Sequence, residues 1–386
     1  MWGQWVGYIG DLGFVTLNID KDKNLVGRLL VSNTKDAQLS FYANAKLILN
    51  ETQNAPLSSL ENSFKLIIDN VQIYNSNIER NKEDDFEFCK TEYELNKEAA
   101  KLIAKLGGPF VLEGMISLRG ALVVLSKNSE AFDKECHLGK LENTSENEIE
   151  ATKTMSWSDF KAWALDEKYE NDGLIFRGQE SSLYKLETTF HRAGRRDLLR
   201  FGVEEVPLLN RNLSSELDRH FNLNLDYSEL LYIAQHHGFP TPLLDWTNSP
   251  FVAAYFAFHK IPKSTDKGRV RIYIFDKLKW GNQYGNGFHT IDEPGPCFAP
   301  FEVNSINNSR ALPQQSLVTF SNISNIESYI RYREAEDKIN YLTTVDINIE
   351  DRNKVMKDLE IMGITAATLF PGLDGVCQAL KERLFS

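Results

Sequence analysis

From residue 2 to about residue 128 the apolar positions fall in short β-rich runs, at 7–20, 27–33, 43–51, 63–75 and 110–126, with Gly, Asn and Asp at the turns between them. Such runs predict a small antiparallel β barrel or sandwich over 1–140. One helical interruption is expected at 94–106, where Leu95, Ala99, Leu102 and Leu106 keep near-helical spacing ahead of Gly107-Gly108. Trp2, Trp5, Tyr8, Phe14, Phe41 and Tyr42 suit the core and turns of such a domain, and enclosing a small ligand in the barrel mouth is the alternative use. Sensing or interaction is the role this leaves for it.

The pattern changes after 141–154, a polar, acidic stretch that reads as a linker. From 155 to 386 helical and strand periods mix, predicting an α+β domain. Ser156 or Ser158 caps a helix with Trp157, Phe160, Trp163 and Ala164 on one face. Asn171-Asp172-Gly173 turns the chain into a short apolar strand, Leu174-Ile175-Phe176, which ends at Arg177-Gly178-Gln179. The densest group of chemistry-bearing residues is 230–258. There a helix capped by Ser228 ends at Gly238 and Pro240, and a second begins with Ser249 as N-cap and Pro250 in its first turn. Further strands are expected at 269–275, 315–320 and 341–347, helices at 204–221, 350–362 and 372–385, and a lid-like loop at 282–300.

Composition narrows the class of molecule. The chain has 386 residues, 42% of them hydrophobic and 25% charged, as in ordinary globular proteins. Its longest strongly apolar run, 251–258, is far below the roughly 20 residues that span a bilayer, so no membrane association is expected. The first ten residues lack a basic segment followed by an apolar one, and the expectation is a cytoplasmic protein. Four scattered cysteines without a CxxC pair give neither a disulfide framework nor a zinc knuckle, and no cluster of carboxylates suggests a metal. A net charge of −11 argues against a nucleic-acid partner and favours one compact phosphate-bearing ligand at a local basic site.

Candidate binding residues follow from these placements. An arginine closing an apolar strand needs either a carboxylate or an anionic ligand, which marks Arg177, and Gly178 beside it lets a ligand approach the backbone. His236 and His237 fall in the last turn of a helix, where the dipole favours the imidazolium. Asp245, Thr247 and Ser249 are delivered by a proline-stiffened turn to a helix N-terminus, a ready anion site. His191, Arg192, Arg195, Arg196 and Arg200 form a basic cluster, read as a solvated helix face or as a funnel leading to Arg177.

Residues 156–384 resemble the FRG domain family through Phe176-Arg177-Gly178, the stretch 234–258, Ser309-Arg310-Ala311-Leu312-Pro313-Gln314-Gln315, and Leu369-Phe370-Pro371-Gly372-Leu373-Asp374-Gly375. That resemblance implies a component of a bacterial stress, toxin or anti-phage system. The order of motifs is also distantly similar to arginine-class ADP-ribosyltransferases: an aromatic-Arg-Gly strand end, a Thr247-Asn248-Ser249 strand entering an alanine-rich helix, and a third element at Gln314-Gln315-Ser316. In that third element the transferases place a catalytic Glu and this chain places Gln. The resemblance implies NAD as substrate, with Arg177, Gly178, Gln179, Thr247, Ser249 and Arg310 binding it. His236, His237, Asp245 and Gln315 would then carry the chemistry, either ADP-ribosyl transfer or NAD hydrolysis. A protein partner or acceptor would engage the N-terminal domain. The alternative is a non-catalytic binding or interaction module.

Overall fold

The computed structural model describes residues 2–9, 13–23, 25–32, 40–49, 61–73, 110–117, 122–126, 136–140, 150–223, 226–262, 265, 267–285, 291, 295–301 and 310–385. The expected helix at 94–106 lies outside them.

The N-terminal strands form a closed antiparallel barrel, in the order β1 (Gly3–Ile9), β2 (Gly13–Ile19), β3 (Val26–Ser32), β4 (Phe41–Leu49), β5 (Glu61–Ile73), β6 (Phe110–Ser117), β7 (Leu122–Ser126) and β8 (Cys136–Lys140). β8 returns to β1 from Trp5↔Lys140 to Tyr8↔His137 and closes the ring. Alternation sets the inside: Trp5, Val15, Leu17, Ile19, Leu29, Val31, Ala43, Ala45 and Leu47 share the buried face. Gln4, Thr16, Asn18, Leu30 and Tyr42 point the other way and are buried as well, because this outer face docks on the C-terminal domain. Gln4 joins the two: its Nε2 donates to Asn18 Oδ1 (2.9 Å) and to the carbonyl of Asn322 (2.8 Å), and its Oε1 accepts from the amide of Ser324 (3.0 Å).

The C-terminal domain is a seven-stranded mixed sheet with helices on both faces. In chain order its elements begin with β9 (Lys153–Met155), α1 (Trp157–Glu170), β10 (Leu174–Gln179), α2 (Thr189–Arg192) and α3 (Leu198–Arg200). A π-helical turn (Phe201–Glu205) leads into α4 (Val206–Glu216), followed by α5 (Tyr227–His236), β11 (Leu243–Thr247), α6 (Pro250–Phe258), β12 (Arg269–Asp276), α7 (Lys277–Tyr284) and β13 (Phe298–Phe301). The domain ends with β14 (Ser316–Ser321), α8 (Ile326–Asp337), β15 (Leu342–Asn348), α9 (Arg352–Ile361), α10 (Ala366–Leu369) and α11 (Leu373–Leu384). Strand order is β13-β14-β11-β10-β12-β15-β9, antiparallel except where β9 runs parallel to β15. The tail of the expected linker is thus a strand of this sheet.

Helix α6 is apolar all round, and that composition dictates its place: Val252, Ala253, Ala254, Tyr255, Ala257 and Phe258 are all buried against Phe176, Val270, Ile272 and Ile274 on one sheet face. The opposite face carries Ile175, Trp246, Tyr273 and Phe275 under Trp280, Tyr329 and Tyr341. The expected caps at Ser156 and Ser249 accept from Asp159 N and Val252 N. Helix α5 instead starts at Asp226, two residues before Ser228. The stretch 282–300 is not a lid in its described part: α7 ends in it, Ile291 and Cys297 are buried in the core, and β13 begins in it. Among the described residues no helix is long and apolar enough to cross a membrane.

Candidate functional site

Strands β10 and β11 are in register only at Phe176↔Thr247. Beyond that pair they part, and a cleft of about 680 Å³ opens where they separate. Seven of the expected site residues line it: Arg177, Gly178, Gln179, His236, Asp245, Thr247 and Arg310. Five cations (Arg177, Lys185, Arg192, Lys260 and Arg310) face it against three carboxylates (Glu180, Glu187 and Asp245), an excess of positive charge in an acidic chain. Phe256, His259 and Phe370 add an aromatic wall, with Arg310 over the Phe370 ring at 5.5 Å.

Arg177 spans the gap between the strands. Its Nη1 donates to the backbone carbonyl of Asp245 at 2.6 Å, while its buried Nε has no hydrogen-bond partner. Burial brings its pKa down to about 10, opposed by Asp245 and reinforced by Arg192, so it stays cationic at neutral pH. Asp245 is held from a second side: Gln235 Nε2 donates to its Oδ1 (2.5 Å), and Thr241 Oγ1 donates to Gln235 Oε1. Arg177 and Gln235 therefore fix the aspartate at the cleft wall. Gln179 leaves its Oε1 buried without a donor, and His236 does the same with Nε2.

The structure separates the other expected residues from the cleft wall. His237 is exposed as the C-cap of α5. Ser249 spends its hydroxyl on the cap of α6. Gln315, at φ 48°, is exposed, and its carbonyl accepts from the amide of Asn248 (3.0 Å). Its neighbour Gln314 is the glutamine on the cleft, donating from Nε2 to the carbonyl of Leu369 (2.9 Å). Thr247 is buried and donates to the carbonyl of Gln314 (2.7 Å), tying β11 to that turn.

Two expectations change their physical meaning. Gly178 makes room for a helix: a Cβ there would lie 1.9 Å from the Ala253 carbonyl oxygen and 2.8 Å from the Ala257 nitrogen in α6. The basic cluster is neither a solvated face nor a funnel. Buried Asp20, after β2 of the barrel, accepts from Arg195 Nε (3.1 Å), Arg200 Nη1 (2.9 Å) and the amides of Arg196 and Asp197. Asp22 takes Arg200 from the outside at 3.0–3.1 Å. Only Arg192 of that cluster reaches the cleft. Gln235, Gln314, Phe256, His259 and Phe370 were not expected as site residues, although Gln314 and Phe370 stand in the family motifs, because their approach to the cleft depends on strands and turns far apart in the chain.

Both histidines on the cleft have depressed pKa values. Burial holds His236 below the usual imidazole range, with Arg310 and His237 acting the same way and Asp245 opposing them, so the expected imidazolium at this helix end gives way to desolvation. His259, also on the cleft, and His191, fully buried, are lowered by burial too. Depressed folded values mean that the unfolded chain takes up protons first, so this stabilisation is complete above pH ~6.5 and is lost as pH falls below it. Urea unfolding is therefore expected to show lower stability at pH 5.5 than at pH 7.5. Asp197 and Glu327, raised by burial, offset part of the loss at the acid end. A flat profile across this window contradicts the neutral histidines.

Residues 172–266, from the turn before β10 to the segment after α6, match the family model described as the FRG domain. Comparison with curated proteins gave no match, and neither did comparison with solved structures.

Proposed function

We propose that the cleft binds an NAD-like nucleotide and that the protein is a bacterial defence or toxin-type effector that transfers ADP-ribose from NAD or hydrolyses it. The observation that carries the binding reading is Arg177: a buried guanidinium with one backbone hydrogen bond and an orphaned Nε gains most from an anionic oxygen. Arg192 adds charge on the same cleft. Gln314 keeps its Oε1 as an acceptor for a ribose hydroxyl.

In the reaction, the bond from the ribose anomeric carbon to the nicotinamide nitrogen breaks and the electron pair leaves with nicotinamide. Asp245 supplies negative charge to the oxocarbenium-like sugar, the part that Gln in the third motif cannot play. His236, neutral, takes the proton from the attacking water or acceptor hydroxyl. Titration calorimetry with NAD and with ADP-ribose is expected to show Arg177→Ala weakening both by about 100-fold. Nicotinamide release is expected to fall about 100-fold or more in Asp245→Asn while binding persists. Unchanged binding in Arg177→Ala sinks the assignment.

A second reading, a non-catalytic binding module, is favoured by the clamp that Arg177 and Gln235 place on Asp245, since such a network also serves to hold the turn. Binding without nicotinamide release from the wild-type protein selects it.

A further inference from the structure

Helix α11 has two faces with different partners. Its inner face is Gly375, Gln378, Ala379 and Glu382. A Cβ on Gly375 would lie 1.8 Å from the Phe370 carbonyl oxygen, and Glu382 Oε1 accepts from Tyr255 Oη (2.9 Å) and Gln378 Nε2 (2.8 Å). The outer face is apolar yet exposed: Leu373 84%, Val376 48%, Leu380 43% and Leu384 62%, with Cys377 exposed among them. In an acidic, charged chain such a stripe calls for a partner.

The spacing identifies that partner. Leu373, Cys377, Leu380 and Leu384 are separated by four, three and four positions, the seam of a helix pair, and they take heptad positions d, a, d and a. Gln378, Ala379, Glu382 and Gly375 are then b, c, f and f, the positions packed on the helix's own domain. Two copies crossing antiparallel about a two-fold axis place each a residue against a d residue, so Leu384 meets Leu373 of the second copy and Cys377 meets Leu380. The same register sets e against e, bringing Asp374 of each copy to exposed Lys381 of the other. A parallel pair would stack Cys377 on Cys377 and leave Asp374 without a basic counterpart within the helix. The seam is self-complementary in one orientation only.

We infer that the protein forms a two-fold symmetric homodimer through antiparallel pairing of α11, with Leu373, Cys377, Leu380 and Leu384 as its seam and Asp374–Lys381 pairs at its flanks. The inference is independent of what the cleft binds.

Sedimentation equilibrium of the full chain over a wide concentration range is expected to show a monomer–dimer equilibrium. Leu380→Glu should weaken it on the order of 100-fold, while circular dichroism and melting temperature stay those of the wild type because the side chain is not in the core. Asp374→Lys should weaken the dimer, and adding Lys381→Asp should restore it. On mild oxidation Leu380→Cys should form an intermolecular disulfide with Cys377, abolished by a further Cys377→Ser substitution, whereas the wild type should not cross-link. A monomeric wild type, an undiminished dimer in Leu380→Glu, failed rescue by the double charge exchange, or cross-linking of wild-type Cys377 overturns the inference.

Discussion

Gly178→Ala is expected to cost the C-terminal domain more than about 4 kcal/mol, or to leave it unfolded on expression. The added methyl would meet the Ala253 carbonyl at 1.9 Å and the Ala257 nitrogen at 2.8 Å, both backbone atoms of α6. No rotamer change relieves such a contact, and six of the nine residues of α6, lying between Val252 and Phe258, are buried in the core, so the helix cannot shift without opening the packing around Phe176, Val270 and Ile272. Gly238→Ala is the matched comparison: at φ 85° with open space around it, it should cost only about 1 kcal/mol, from backbone strain. Denaturant unfolding of the two variants checks this. Equal, small losses would mean that α6 does not press on β10. The three residues of the Phe-Arg-Gly motif thus have separate duties, with Phe176 in the core, Arg177 on the cleft and Gly178 as the seat of a helix.

Asp20→Ala is expected to destabilise the union of barrel and C-terminal domain by about 3–5 kcal/mol, the usual cost of removing one partner from a buried ion pair. The substitution strips the acceptor from Arg195 and Arg200 and from two backbone amides at the start of α3. Asp22→Ala, by contrast, removes a carboxylate that is 51% exposed and should cost less than about 1 kcal/mol. Calorimetry should resolve separate barrel and C-terminal-domain transitions in Asp20→Ala where the wild type and Asp22→Ala unfold together. If the two variants behave alike, Asp20 is not the fastener.

Much of the fold was legible because it depends on local signals. Alternating apolar runs marked barrel strands, and Ser249-Pro250 marked the start of α6. Gly238 marked the end of α5. The site was legible in part: Arg177, His236, Asp245 and Arg310 were found by their motifs and do meet on one cleft. What failed depends on contacts distant in sequence. The basic cluster was read as a solvated face or a funnel because its carboxylates lie some 175 residues earlier, in a different domain. Gly178 looked ligand-facing because the helix it touches is some 75 residues away. Gln314 and Gln315 are indistinguishable in sequence, and only the left-handed backbone at Gln315 turns one inward and the other out. His236 was assigned by the helix dipole, but desolvation in the cleft outweighs that dipole.

The short strand β9 has a bearing on how this domain can be handled. It lies along β15 from Val345 to Ile347 and is the outermost strand on that side of the sheet. A fragment begun at Trp157, after the acidic stretch, would strip this cover and lay bare a row of backbone donors and acceptors on a largely buried strand, the template on which stray chains add and aggregates grow. Lys153–Met155 acts as a selvedge, and an isolated C-terminal domain has to keep it.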